Sequence, residues 1–148
     1  MDFIQKGGFL GHLAVNFKQN FQLARRSVPF FKVASMDLNH PLFIEYIARK
    51  GKPVILSTGM GTVGEIARAV EVVKSTGNDK LILLHCTSLY PPLEEEVNLN
   101  NIDYLREVFK EQIGYSDHTL GFSIPLAAVA KGVSVIEKHY TLDKSMEG

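Results

Sequence analysis

The chain has 148 residues, 45% hydrophobic and 22% charged, with 16 Lys+Arg balanced by 16 Asp+Glu. This is enough for one core of ordinary globular composition, and zero net charge speaks against nucleic acid or an anionic membrane surface as a partner. A single cysteine, Cys86, excludes an intrachain disulfide and fits a reducing, cytoplasmic setting, while no apolar run approaches the ~20 residues needed to span a bilayer.

Residues 1–28 form an unassigned N-terminal segment with no legible chemistry. Gly7, Gly8 and Gly11 are expected to break any early element. Phe17–Arg26 could form one or two helical turns, and Arg25 and Arg26 read as a solvated face. From Val28 the pattern becomes regular. Phe30–Ser35 is a β-prone apolar run ending at Ser35 and Asp37. Asn39 and Pro41 read as the N-cap and first-turn proline of a helix to about Lys50, with Leu42, Ile44, Ile47 and Ala48 available for packing.

After Gly51, Pro53–Leu56 is a second buried strand that ends at Ser57-Thr58-Gly59. Thr62 and Glu65 make a capping box for a helix with Ile66, Ala67, Val70 and Val73 on one face, closed by Gly77-Asn78. Lys80–Leu84 is a third strand, ending at His85-Cys86-Thr87-Ser88, and an irregular loop covers Leu89–Val97. Asn98–Lys110 is an amphipathic helix with Ile102, Leu105, Val108 and Phe109 inward. Ile113–Thr119 is a fourth strand, Pro125–Gly132 a short alanine-rich helix, and Val133–Tyr140 a fifth strand.

The order is therefore βαβαβαβαβ, with strands apolar throughout. That pattern predicts a parallel sheet covered by helices and built from right-handed crossovers. Polar residues gather at the C-terminal tip of every strand, which is the edge where parallel α/β folds bind ligands.

Several tip residues carry chemistry. His118 and His139 occupy equivalent places on consecutive strands, and parallel neighbours lie ~4.8 Å apart, so both imidazoles could reach one divalent ion. Two histidines are too few for a closed zinc site and would suit an open one. Either could also be structural, as His85 is expected to be, hydrogen-bonded to a backbone carbonyl. His12 and His40 read as surface or loop residues. Asp117 could orient a ligand or cap a helix, and Glu137 could be an acid–base or an ion-pair partner. Lys32 interrupts an apolar strand, which is costly unless it meets an anion or its end reaches water. Alternation puts Lys32 and Ala34 on one face and Val33 and Ser35 on the other. Ser35, Ser57, Ser88 and Ser116 are each consistent with a helix cap; together with Lys32 they favour an oxyanion-rich substrate. Cys86 reads as core. Ser57-Thr58-Gly59-Met60-Gly61 lacks the spacing of a nucleotide-binding loop.

Five motifs follow one another: Lys32-Val-Ala-Ser-Met-Asp37, Pro53-Val-Ile-Leu-Ser-Thr-Gly-Met60, His85-Cys-Thr-Ser-Leu-Tyr-Pro91, Gly114-Tyr-Ser-Asp-His-Thr119 and Val135-Ile-Glu-Lys-His-Tyr-Thr-Leu-Asp143. In content and order this resembles the sialic acid synthase family, which includes the N-acetylneuraminate, legionaminate and pseudaminate synthases. The resemblance runs from about Val28 to Gly148. It implies a (β/α)8 TIM barrel that condenses phosphoenolpyruvate with a 2-acetamido sugar, such as N-acetylmannosamine, giving a nine-carbon 2-keto acid and phosphate.

It further implies Mn2+ or Mg2+ held by His118 and His139. Lys32, Ser35, Ser57 and Ser116 would hold the phosphate and carboxylate of phosphoenolpyruvate. Ser88 and Tyr90 would face the sugar. Glu137 and Lys32 are the catalytic candidates, Glu137 as acid–base or sugar contact. The full-length family is expected to form homodimers.

A complete barrel of this kind needs ~250 residues. The expectation is therefore a partial barrel domain over residues 29–148, five parallel βα units matching strands four to eight, without the family's antifreeze-like C-terminal domain. Such a fragment is expected to have little or no synthase activity alone. The alternative reading is a non-catalytic five-stranded α/β module that binds anions or assembles.

Overall fold

The computed structural model describes residues 28–140 and 143, together with the backbone of residues 2–5 and 8–11. The chain opens with an antiparallel hairpin of β1 (Asp2–Gln5) and β2 (Gly8–Gly11), in which Asp2 faces Gly11 and Gln5 faces Gly8. This corrects the expectation that the early glycines break every element. Glycine keeps both backbone hydrogen-bonding groups, so it can still pair across a ladder. The helical turns expected over Phe17–Arg26, together with Arg25, Arg26 and His12, lie outside the described residues.

Five parallel strands then alternate with helices: β3 (Phe31–Val33), α1 (Pro41–Ala48), β4 (Val54–Ser57), α2 (Val63–Ser75), β5 (Leu81–Cys86), α3 (Asn100–Phe109), β6 (Gln112–Asp117), α4 (Ser123–Ala130) and β7 (Ile136–Lys138). Strands pair in chain order, β3-β4-β5-β6-β7. Alternate strand residues such as Val33, Leu56, Leu83 and Tyr115 share one buried cluster with Ile44, Val73, Ile102 and Leu105 of the helices. Their neighbours Lys32, Ser57, Cys86, Ser116 and Glu137 line a cavity on the other face. Strands buried on both faces read as unbroken apolar runs, which is why the sequence showed them clearly.

The sheet is curled. A flat five-stranded sheet would separate β3 from β7 by roughly 19 Å. Yet Lys32 Nζ on β3 lies 3.2 Å from Glu137 Oε1 on β7. Two side chains cannot bridge a flat sheet at that range, so the strands wrap into half a barrel with Lys32 and Glu137 meeting across its hollow.

Local chemistry sets the helices. The Thr62–Glu65 capping box forms as the sequence predicts: Glu65 N donates to Thr62 Oγ1 at 3.3 Å and Thr62 N to Glu65 Oε2 at 2.7 Å. The cap of α1 is His40 instead of Asn39. His40 Nδ1 accepts from Phe43 N at 3.2 Å, so His40 is a half-buried cap and not a free loop residue. Asn39 Nδ2 donates instead to Glu65 Oε1.

Buried faces also shift by a residue or two. In α1 Phe43 is buried and Leu42 exposed; in α2 Ala69 is buried and Ala67 exposed; in α3 Val108 is exposed. The real stripes follow 3.6-residue spacing more strictly than the expected sets. The last helix and strand begin and end inside different bounds from those expected, at Ser123–Ala130 and Ile136–Lys138. No helix among the described residues is long and apolar enough to cross a membrane.

Candidate active site

The register brings the strand tips level. Cys86 pairs with Ser116, Ser116 with Glu137, and Ser57 with Leu84. His118 and His139 follow two residues beyond Ser116 and Glu137, just past the strand ends, and line the same cavity. The result is a cavity of about 580 Å³ inside the half-barrel, lined by Lys32, Ser35, Ser57, Ser88, Tyr90, Ser116, His118, Glu137 and His139. The residues expected to bind substrate or metal are brought together here, whereas Asp117, expected to orient a ligand or cap a helix, is not among the lining residues and pairs with Thr119 and Lys138.

Two placements differ from expectation. Ser35 shares the cavity with Lys32, although strict alternation separates them. β3 ends at Val33 and Ser35–Asp37 forms a 3-10 turn, so the period of two stops before Ser35. Cys86 is buried but lines the cavity, with its Sγ 3.3 Å from Ser35 Oγ, and is no part of the cluster under the helices. A glycine at 59 makes this closeness possible: a Cβ there would come within 2.6 Å of Ser88 Oγ, 2.8 Å of Cys86 Sγ and 2.9 Å of Ser35 Oγ.

None of the four serines serves as a side-chain helix cap here. Ser116 Oγ donates to Glu137 Oε1 at 2.7 Å, and the same oxygen faces Lys32. Lys32 and Glu137, 8% and 7% exposed, form a buried pair, which is how a lysine is tolerated in this strand. Ser57 is 2% exposed, and its hydroxyl has no hydrogen-bond partner among the described residues. A buried orphan hydroxyl is costly and suits a ligand that would satisfy it.

The His118 ring is held in one orientation by a backbone carbonyl. Its Nδ1 lies 2.7 Å from the carbonyl of Thr87, which can only accept, so Nδ1 carries the proton and Nε2 the lone pair. Ser116 lies 3.4 Å from Nε2, but its proton is already directed to Glu137. Nε2 therefore faces the cavity as an acceptor with no donor. Burial, helped by His139 and Lys32 and opposed by the Thr87 bond and Glu137, holds the His118 imidazole below its ordinary value and keeps it neutral.

The His118 and His139 ring centroids lie 5.3 Å apart. Two imidazole nitrogens each about 2.1 Å from one ion put their ring centres roughly 5 Å apart, so the pair fits a shared divalent ion. Tyr90 stacks on His118 at 4.0 Å and meets His139 edge-on at 5.6 Å. Among the described residues no third His, Cys, Asp or Glu joins them as a ligand cluster. The donor set is that of an open site.

His85 stands apart, its Nε2 bonded to Val97 O at 2.7 Å, as expected of a structural histidine. Asp37, expected from the sequence only as a polar strand-tip residue, has its Oδ2 buried without a hydrogen-bond partner among the described residues. Burial raises its carboxyl, against the lowering pull of His40 and Lys32. The Thr87 carbonyl and the apolar rim of Met36 and Met60 were not expected from the sequence. A backbone acceptor has no sequence signal, and the burial of Asp37 Oδ2 depends on packing that the sequence does not show.

Comparison with known proteins identifies the family and the fold. The NeuB family model matches residues 14–148, beginning inside the segment that the sequence left unassigned. Pseudaminic acid synthase of Campylobacter jejuni is 42% identical over 144 residues, 97% of this chain and 42% of the relative. Human N-acetylneuraminate-9-phosphate synthase is 40% identical over 140 residues, 94% of this chain and 37% of the relative. The solved N-acetylneuraminic acid synthetase of Leptospira borgpetersenii superposes with a TM-score of 0.81 at 41% identity, covering 86% of this chain and 45% of that one. The chain thus spans about two fifths of the length of the relatives it matches. By motif order, fold and sequence it belongs to the NeuB family of sugar acid synthases.

Proposed function

We propose that this chain carries the ion-binding half of a site that condenses phosphoenolpyruvate with a 2-acetamido sugar, forming a nine-carbon 2-keto acid and phosphate. In that reaction C3 of phosphoenolpyruvate bonds to the sugar aldehyde carbon, water adds at C2, and phosphate leaves by C–O cleavage. The observation that carries the reading is the convergence of His118 and His139 with Lys32 and four serines in one cavity of a NeuB-family chain.

In this reading Lys32 supplies positive charge to the phosphate or carboxylate, while Ser57 and Ser116 donate hydrogen bonds to their oxygens. Ser35 sits beside Lys32 for the same anion. Among the described residues Glu137 is the one carboxylate lining the cavity, so it would accept a proton from water or a sugar hydroxyl. Tyr90 and Ser88 at the rim would hold the sugar, Tyr90 by its ring face. His118 Nε2 and His139 would hold a divalent manganese or magnesium ion, which when bound polarises the aldehyde.

The test is a manganese titration of the chain read by electron paramagnetic resonance, followed by a phosphoenolpyruvate titration. Manganese binding that disappears in His118→Ala and His139→Ala, with phosphoenolpyruvate binding that disappears in Lys32→Ala, is expected. Absence of manganese binding would overturn the reading. The alternative, a non-catalytic anion-binding module, rests on Lys32 and the orphan Ser57 hydroxyl alone. It predicts that inorganic phosphate binds equally well in the double His118→Ala, His139→Ala variant. As this half holds one ring segment of the site, release of phosphate from phosphoenolpyruvate by the chain alone, dependent on manganese and N-acetylmannosamine, is not expected.

A further inference from the structure

We propose that the ion pair between Lys138 and Asp117, on the helix side of the sheet, is the positioning device that holds His139 beside His118. This rests on the reading of the two histidines as ligands of one ion. Each charged residue ends its strand and directly precedes one histidine, and the two histidines line the cavity while the two charged residues do not. Fixing Asp117 and Lys138 behind the sheet therefore fixes which way His118 and His139 project in front of it.

The two histidines need this unequally. The His118 ring is tied by its own bond to Thr87. Among the described residues no hydrogen bond reaches the His139 ring, which is held only by aromatic contacts. β7 is a three-residue strand whose final ladder pair is Asp117 with Lys138, so His139 lies one residue past the end of the sheet.

Lys138 extends the hold beyond that point. Its ammonium pairs with Asp117 Oδ2 and also donates to Thr119 O at 2.8 Å. Asp117 itself is fully buried and fixed: Tyr115 Oη donates to its Oδ1 at 3.1 Å, Thr119 N at 3.0 Å and Thr119 Oγ1 at 2.7 Å. The anchor is rigid, and β7 is the element it secures.

The test compares manganese affinity of the parent chain with that of Lys138→Met and Lys138→Arg, read by electron paramagnetic resonance. ¹⁵N imidazole spectra, recorded without metal, report each ring separately. Losses of the 10–100-fold kind seen when outer-shell partners are removed are expected for Lys138→Met, with recovery in Lys138→Arg. The His118 tautomer signal should stay as in the parent while the His139 signal changes. If Lys138→Met fails to fold, Asp117→Asn with Lys138→Met removes both charges together and should show the same loss.

A folded Lys138→Met or double variant that binds manganese like the parent overturns the inference, even if its melting temperature falls. A parent chain that binds no manganese overturns the site reading itself, so the two failures are told apart.

Discussion

Lys32 Nζ and Glu137 Oε1 lie 3.2 Å apart, joining the first and last strands of the parallel sheet across its hollow. Lys32→Met would leave Glu137 buried with only Ser116 and its remaining contacts, and should destabilise the fold by about 3 kcal/mol, the cost of breaking a buried pair from one side. The double variant Lys32→Met, Glu137→Gln should lose clearly less. Denaturant unfolding of the two singles and the double measures the coupling. Additive effects would mean the pair does not hold the curl.

Ser57→Ala should separate stability from binding. The hydroxyl is buried and has no partner, so removing it should leave stability unchanged or raise it by about 1 kcal/mol. Affinity for phosphoenolpyruvate should nevertheless fall about tenfold, the worth of one hydrogen bond to a charged group. Thermal unfolding and calorimetric titration of the same variant give both numbers.

His85 gives a pH dependence with a defined sign. Burial lowers its pKa from the ordinary 6.5, only partly countered by the bond to Val97. The unfolded chain then takes up a proton near pH 6.5 that the folded chain refuses, so stability is full above that value and falls as pH drops below it. His118, shifted the same way by burial, adds to the fall in the metal-free chain. Unfolding free energy measured between pH 8 and 5 should therefore drop, and His85→Gln should reduce the slope without abolishing it.

Gly114→Ala should damage the β6–β7 pairing. A Cβ there would approach Val135 O to 2.7 Å and Leu84 Cδ2 to 2.5 Å. The first of these is backbone, and it accepts the ladder bond from Tyr115 N, so relief requires the strands to part. We expect a loss of about 2 kcal/mol, as for overpacking, and faster amide exchange at Tyr115. Wild-type stability in this variant would count against the tight β6–β7 approach.

Much of the fold is legible because its strands are buried on both faces and its helices begin with recognisable caps such as Thr62 with Glu65. What failed to be legible failed locally. Alternation could not place Ser35, since β3 ends two residues before it. Asn39 is a better cap residue by type than His40, yet Glu65 holds the Asn39 side chain and His40 serves instead. Cys86 has the look of a core residue and is buried, but which face of the sheet it occupies depends on register.

The sequence by itself determined the order of the parallel strands and helices after residue 28, the tip at which each candidate residue sits and, through five ordered motifs, the family. Period-two alternation and capping are short-range, and they survive being read from a linear chain. Only the tertiary structure decided what those tips do to one another. The curl that brings Lys32 to Glu137 accumulates over four strand pairings, and no local spacing encodes it. The free lone pair of His118 follows from a Thr87 carbonyl 31 residues earlier in the chain, a partner that is backbone and therefore silent in sequence. The support of His139 likewise passes through Lys138 to Asp117, 21 residues away. Distances between non-adjacent strands and the direction of each proton are properties of packing, and packing is where this site is made.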